Sequence, residues 1–414
     1  MLLRARIVLP VSKPPIVDGV VRVEHGRVVE VGKWGDLCGE AEDLGDVLLM
    51  PGLINAHCHL DYTNLAGRIP APETFDEWIS GITRHKKRMG DGVWRESWLK
   101  GARQCLQRGT TTVGNIETRP DLLATLWPKT PLRLLSFLEI IVVRPESDSG
   151  TVVQETANWL QNNEPPRGAV GLSPHAPYTV KPDALLQCAE ASKKHGWGMS
   201  MHLAESADES AMFLDGVGPL FKRLANVGRD MSDCGDHSPM EHASRHGLLD
   251  DRLLAVHANY IDDNDIGLLA QNGVSVAHCP RSHDYFGHAP FRFWELRAAG
   301  VNVCLGTDSL ATVEGADAKL DMFAEMRIFQ GKYPDVSPEV ITSMATVNGA
   351  KALGWAGEVG EISTGACADL LAFPYSGSAD GVYGAVVEHS GPVAVMVDGQ
   401  WEIRPTSLLD HHGD

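Results

Sequence analysis

GLINAHCH, residues 52–59, is an apolar run of strand length that closes on two histidines, His57 and His59. Side chains two apart on a strand share a face, so both imidazoles can reach one ion. Seven further apolar runs follow: TTVGNI (111–116), LRLLSFLEI (132–140), GAVGLSP (168–174), GMSMHL (198–203), LLAVHA (253–258), VSVAHC (274–279) and VNVCLG (301–306). Between them lie helix-like stretches such as WRESWLKGARQCLQRG (94–109), PDALLQCAEASKKHG (182–196) and PFRFWELRAAG (290–300), each ending on a glycine suited to a helix C-cap. Eight strands alternating with helices predict an α/β chain whose residues 51–356 form a (β/α)8, TIM-like barrel.

The flanks read differently. In residues 1–50, RARIVLP is followed by GVVRVEHGRVVEVG, two β-rich runs about a glycine turn. The tail, residues 357–414, repeats the pattern in ACADLLAFP and VAVMVDGQWEI. Because chain ends commonly lie close together, both flanks are expected to build one small β-sandwich domain. Residues 206–250 form the longest excursion between two barrel strands and are rich in polar and turn residues, with a solvated loop and a lid over the barrel mouth as the two readings.

The bulk numbers narrow the function classes. The 414 residues are 43% hydrophobic and 22% charged, as in an ordinary globular enzyme. With 36 Lys and Arg against 54 Asp and Glu, the net charge is −18. That argues against a basic phosphate-binding stripe, so no nucleic-acid partner is expected, and a strongly anionic substrate is disfavoured. The eight cysteines make no CxxC pair, which fits free thiols in a reducing compartment. No stretch approaches the ~20 apolar residues of a membrane span, and the first residues lack the apolar core of a signal peptide. A cytoplasmic protein acting on a small molecule, without membrane partner, is the expectation.

The polar residues at the ends of the apolar runs carry the chemistry. The fifth run ends in His202, with Glu205 three residues on; the sixth ends in His257, the seventh in His278, and Asp308 follows the eighth. In a parallel barrel these ends converge on one mouth. Taken singly, each residue has a plainer reading as a cap, a turn residue or half of an ion pair. Together, His57, His59, His202 and Asp308 supply three nitrogens and one carboxylate, a donor set for one divalent metal, zinc or Fe(II). Competing motifs fail: Glu241-His242 with His246 resembles a zincin helix but has Ala243 where the general base belongs, and neither His-x-Glu nor Pro-Cys-x-x-Cys occurs.

PGLINAHCHLDYTNLAG, SPHAPYTV, HLAES, HCPRSH, LGTDSLAT and ATVNGAKALG together resemble the amidohydrolase superfamily, in its branch of cytosine-deaminase-related aminohydrolases and chlorohydrolases. The resemblance implies metal ligation by His57, His59, His202 and Asp308, and catalytic roles for Glu205, His257 and Asp308. A second metal in the superfamily needs a carboxylated lysine on the fourth strand; GAVGLSPHAP has none, so one metal is expected. The implied reaction is hydrolytic deamination: Asp308 takes a proton from water, Glu205 protonates a ring nitrogen, His257 meets the developing oxyanion, and ammonia leaves.

Similar adenosine-type deaminases, acting on S-adenosylhomocysteine or methylthioadenosine, contact the nucleoside through the histidine matching His175. Glu139, at the end of the third run, can bind a ribose hydroxyl or an amine, and Ser309 stands beside Asp308. In the seventh segment, Arg281 and His283 depart from the branch's common pattern and are expected to reshape the pocket wall, adding positive charge for a carboxylate-bearing substrate. Aminodeoxyfutalosine, an adenine nucleoside with a benzoate, fits such a wall. Two other readings stay open here: a hydrolase expelling chloride or an alkylamine from a triazine-like ring, and a non-catalytic scaffold. A homodimer is a family-level expectation.

Overall fold

A computed structural model describes residues 1–37 and 39–404. Cys38 and the expected end of the terminal β domain, residues 405–414, lie outside the described residues. The N-terminal flank supplies β1 (Leu2–Val8), β2 (Ile16–Glu24), β3 (Arg27–Lys33), β4 (Glu42–Asp43) and β5 (Val47–Pro51). The barrel strands are β6 (Leu53–Cys58), β7 (Thr110–Glu117), β8 (Arg133–Ile140), β9 (Gly168–Pro174), β10 (Met199–Leu203), β11 (Leu253–His257), β12 (Ser275–His278) and β13 (Val303–Leu305). The C-terminal flank adds β14 (Leu370–Pro374), β15 (Ala394–Val397) and β16 (Gln400–Ile403).

The two flanks form one mixed sheet in the order β16-β15-β14-β5-β1-β2-β3, with β4 beside β1. Its two halves are stitched where β14 runs antiparallel to β5, Leu371 opposite Met50. β2 and β3 turn at His25 and Gly26, whose φ values of 51° and 76° are those of a tight hairpin turn twisted to match its strands. Leu3, Val21, Val28, Leu49, Leu370 and Met396 bury its apolar face.

The other eight strands lie parallel and in sequence order from β6 to β13. Helices cover their outer faces, so the strands are buried on both sides and read as continuous apolar runs. The helix Pro182–His195 ends at Gly196 in the left-handed conformation, φ 70°, as its sequence signals.

The barrel is drawn shut where β13 meets β6. The Asn55 side chain accepts from the Thr307 amide at 2.9 Å and donates to the Thr307 hydroxyl at 2.7 Å. The Asp308 amide donates to the His57 carbonyl at 3.1 Å. Gly306 permits this approach, since a Cβ there would lie 2.8 Å from the His57 carbonyl oxygen.

Residues 206–250 are not a solvated loop. They contain the helices Ala207–Asp215, Pro219–Asn226 and Pro239–Arg245. Phe213, Leu220 and Leu224 from this segment pack with Phe75, Ala176 and Tyr178, and Arg223 pairs with Asp76. The segment is therefore tied to the helix Phe75–Lys86, which follows β6. The zincin-like Glu241 belongs to a capping box with Ser238. The seven described cysteines are free, and among the described residues no helix is long and apolar enough to cross a membrane.

Asn55→Ala tests the seam. It leaves the buried Thr307 amide without its partner, at a cost of about 1–3 kcal/mol. We expect a lower urea midpoint together with weaker metal retention, because Asp308 follows directly. A variant with the wild-type midpoint would show that the seam closes without Asn55.

Candidate metal centre

The strand ends deliver the expected residues to one point. His57 comes from β6 and His59 follows directly after it, His202 comes from β10, and ligand-capable atoms of these three buried histidines all lie within 4.8 Å of one another. His59 Nε2 stands 3.3 Å from His202 Nε2. Asp308 Oδ1 faces the same point, 3.7 Å from His57 Nε2 and 3.6 Å from His59 Nε2. His257 and Glu205 complete the group, with His257 Nε2 3.5 Å from Glu205 Oε1.

The backbone bends sharply to achieve this. Ala204, His257, Ala258 and Asp308 all have positive φ, between 48° and 74°. Non-glycine residues in that region cost about 1–3 kcal/mol each and persist only where the surroundings hold them. Here the Ala258 amide donates to the Leu203 carbonyl, and the Asn259 and Tyr260 amides donate to Ala204, each at 3.0 Å.

The polar atoms fit a cation. Both ring nitrogens of His57, Nδ1 of His59 and Nε2 of His257 are buried without a hydrogen-bond partner. His202 donates from Nδ1 to the His175 carbonyl at 2.9 Å, which leaves its Nε2 lone pair aimed at the centre. Burial, with His57 next to it, lowers His202 to about 4, and burial likewise holds His59, His257 and His175 well below the ordinary histidine range. Neutral imidazole is the form that ligates a metal.

The two carboxyls are pushed apart. Burial alone would raise Asp308, yet the neighbouring histidines His57, His257 and His59 hold it well below the usual carboxylate range. Ser282 donates to Asp308 Oδ2 at 2.6 Å and Thr312 at 3.2 Å, fixing its second oxygen. Glu205 is raised well above its ordinary value by burial and by the negative neighbours Asp308 and Glu209. An anionic and a protonated carboxyl thus stand across one site, the separation that acid–base chemistry uses.

The wall residues divide. His175 lies with its ring 4.9 Å from His202 and its Nε2 4.0 Å from Glu139, whose carboxyl burial raises. His283 lines a cavity of about 620 Å3 with His278, His288 and Phe291, and bonds through Nδ1 to Asn259 Oδ1 at 3.0 Å. One expectation needs correction. Arg281 does not lend positive charge to the wall, because its guanidinium is committed to the fully buried Glu325 and to the Lys319 carbonyl. Ser309, beside Asp308, accepts from the Ala311 amide at 3.2 Å through its hydroxyl oxygen.

Sequence reading missed several supporting groups: Ser282, Thr312, Asn259, Glu209 and Lys86. Lys86 ends the helix Phe75–Lys86 with its ammonium 5.2 Å above the Tyr62 ring, and Tyr62 in turn stacks on His59 at 5.3 Å. Only Glu209 carried a usable signal, as the fourth residue of Ser206-x-x-Glu before a helix.

The chain resembles known proteins over most of its length. Residues 48–401 match the family described as Amidohydrolase family. The chain is 32% identical over 371 residues to a 5-methylthioadenosine/S-adenosylhomocysteine deaminase of Symbiobacterium thermophilum, covering 86% of this chain and 80% of that one. It is 30% identical to the protein of the same name from Moorella thermoacetica, covering 90% and 85%. Among solved structures, a zinc-bound adenosine deaminase from Xanthomonas campestris superposes with a TM-score of 0.83 at 25% identity, over 99% of this chain and 94% of that one. Helicobacter pylori aminofutalosine deaminase superposes with a TM-score of 0.87 at 20% identity, over 97% and 100%, a likeness of fold. The chain belongs to the amidohydrolase family.

Proposed function

We propose that this enzyme is a zinc-dependent deaminase that replaces the exocyclic amino group of an adenine-type nucleoside and releases ammonia. One observation carries the reading: three buried histidines and the anionic Asp308 face one point, while the protonated Glu205 stands across it beside His257. His57, His59, His202 and Asp308 would hold the ion, three nitrogens and one oxygen being a donor set for catalytic zinc. When bound, the ion supplies Lewis-acid chemistry that makes hydroxide available from water at neutral pH.

The chain's own groups do the rest. Asp308, anionic and held through both oxygens by Ser282, Thr312 and the Ser309 amide, can accept a proton from water at its carboxylate. Glu205 delivers its proton to a ring nitrogen of the base, which makes the adjacent carbon electrophilic. His257 Nε2 has no protein partner and is free to meet the oxygen that develops charge at that carbon. Burial of all these groups excludes bulk water and strengthens each interaction. Glu139 and His175, with Lys86 above them, form the polar wall suited to ribose hydroxyls. The names of the deaminases to which this chain is about 30% identical support a nucleoside substrate. A carboxylate-bearing nucleoside has lost the argument from Arg281.

Three outcomes are expected. Glu205→Gln retains its metal and loses kcat by at least ~100-fold, the scale of a general acid; wild-type turnover would remove Glu205 from the mechanism. Asp308→Ala loses both metal and activity, read by elemental analysis and ammonia release. Chelation abolishes turnover of adenine nucleosides and zinc restores it. Should the enzyme ignore such nucleosides and release chloride or an alkylamine from triazines, the deaminase assignment falls; restoration by ferrous iron alone would overturn zinc.

A further inference from the structure

Glu209 is fully buried and lies outside the group of residues that face the metal point. It is the third residue of the helix Ala207–Asp215, whose N-cap is Ser206. Its amide donates to the Ser206 hydroxyl at 3.2 Å, the first half of a capping box. In the helices beginning after Ser238 and Asp262, the carboxylate three residues on completes the box by accepting from the N-cap's own amide, at 2.9 and 3.2 Å. Glu209 reaches further back. Its two oxygens accept from two successive amides before the cap: Oε1 from Ala204 at 3.1 Å and Oε2 from Glu205 at 2.8 Å.

Those two amides belong to the bend that carries Glu205 into the site. Ala204, at φ 51°, is the point where the chain leaves β10 and turns. A left-handed alanine does not hold itself there, so the bend needs partners on both sides of the peptide plane. Asn259 supplies the carbonyl side, its amide donating to Ala204 and its side chain to the Glu205 carbonyl, both at 3.0 Å. Glu209 supplies the N–H side. Between them, both peptides flanking Ala204 are fixed, and with them the direction of the Glu205 side chain.

We propose that Glu209 is a positioning residue for the reaction: it clamps the Ala204–Glu205 bend so that the Glu205 carboxyl stands opposite His257 and the metal point. The proposal rests on the reading of Glu205 as the proton-carrying group. It gives a buried carboxylate, otherwise a cost to folding, a task that an apolar residue could not perform.

Glu209→Gln is the direct test, since glutamine keeps the size and one acceptor oxygen but turns an NH2 toward one of the two amide donors. Expected is a loss of kcat of ~10- to 100-fold, typical for a supporting partner of a site residue, with KM within about threefold, metal content unchanged, and faster hydrogen exchange at the Ala204 and Glu205 amides. The decisive readout is the double variant. If Glu209 acts through Glu205, adding E209Q to E205Q costs less than about threefold in the residual rate; a merely structural role multiplies the two losses. Glu209→Asp serves as a second variant and should fall with E209Q, its shorter chain reaching one amide. Wild-type kcat in E209Q, multiplicative losses, or loss of folding or metal in both E209Q and E209D would each overturn the proposal. An E205Q enzyme with full activity would overturn the underlying reading of Glu205, and the clamp's purpose with it.

Discussion

The structure turns on the seam between the first and last barrel strands. His57 and His59 lie near the start of the barrel and Asp308 some 250 residues later, and nothing local brings them together. Asn55, bonded twice to Thr307, and Gly306, pressed against the His57 backbone, draw β13 onto β6 until an Asp308 oxygen lies within 4 Å of both histidines. A side chain at 306 would hold the strands apart. Metal binding and barrel closure therefore draw on the same few contacts, and each supports the other once an ion is bound.

Burial then sets the chemistry. Removing His59 and His202 from water lowers their pKa and favours the neutral form, the state in which imidazole ligates. The same burial acts oppositely on two carboxyls according to their neighbours. Asp308 sits among imidazoles and is held anionic, whereas Glu205 sits among other carboxyls and is held protonated. Such an arrangement carries strain in four left-handed backbone positions at the strand ends; hydrogen bonds with Asn259 and Glu209 hold the bend at Ala204, while Ser282 holds the Asp308 carboxylate. Supporting groups of this kind are as much part of the site as the groups that touch substrate.

Much of this was legible beforehand, and the limits have physical causes. Parallel strands covered on both faces are continuous apolar runs, and each run's polar terminus marks the barrel mouth, so His57, His59, His202, His257 and Asp308 could be read as one constellation. Arg281 could not be placed, because its partner Glu325 lies on a helix 44 residues on and no pattern links the two. Residues 206–250 are ambiguous in sequence because polar, turn-rich residues separate their short helices; Phe213, Leu220 and Leu224 gain meaning only against Phe75 and Tyr178.

By itself, the sequence determined which residue types stand at which strand ends, since period, turn chemistry and donor set are local properties of the chain. Tertiary structure alone decided which of those groups meet, which carboxyl keeps its proton, and which charges are already paired. Protonation and pairing depend on burial and on neighbours far away in the chain, and those exist only once the barrel has closed.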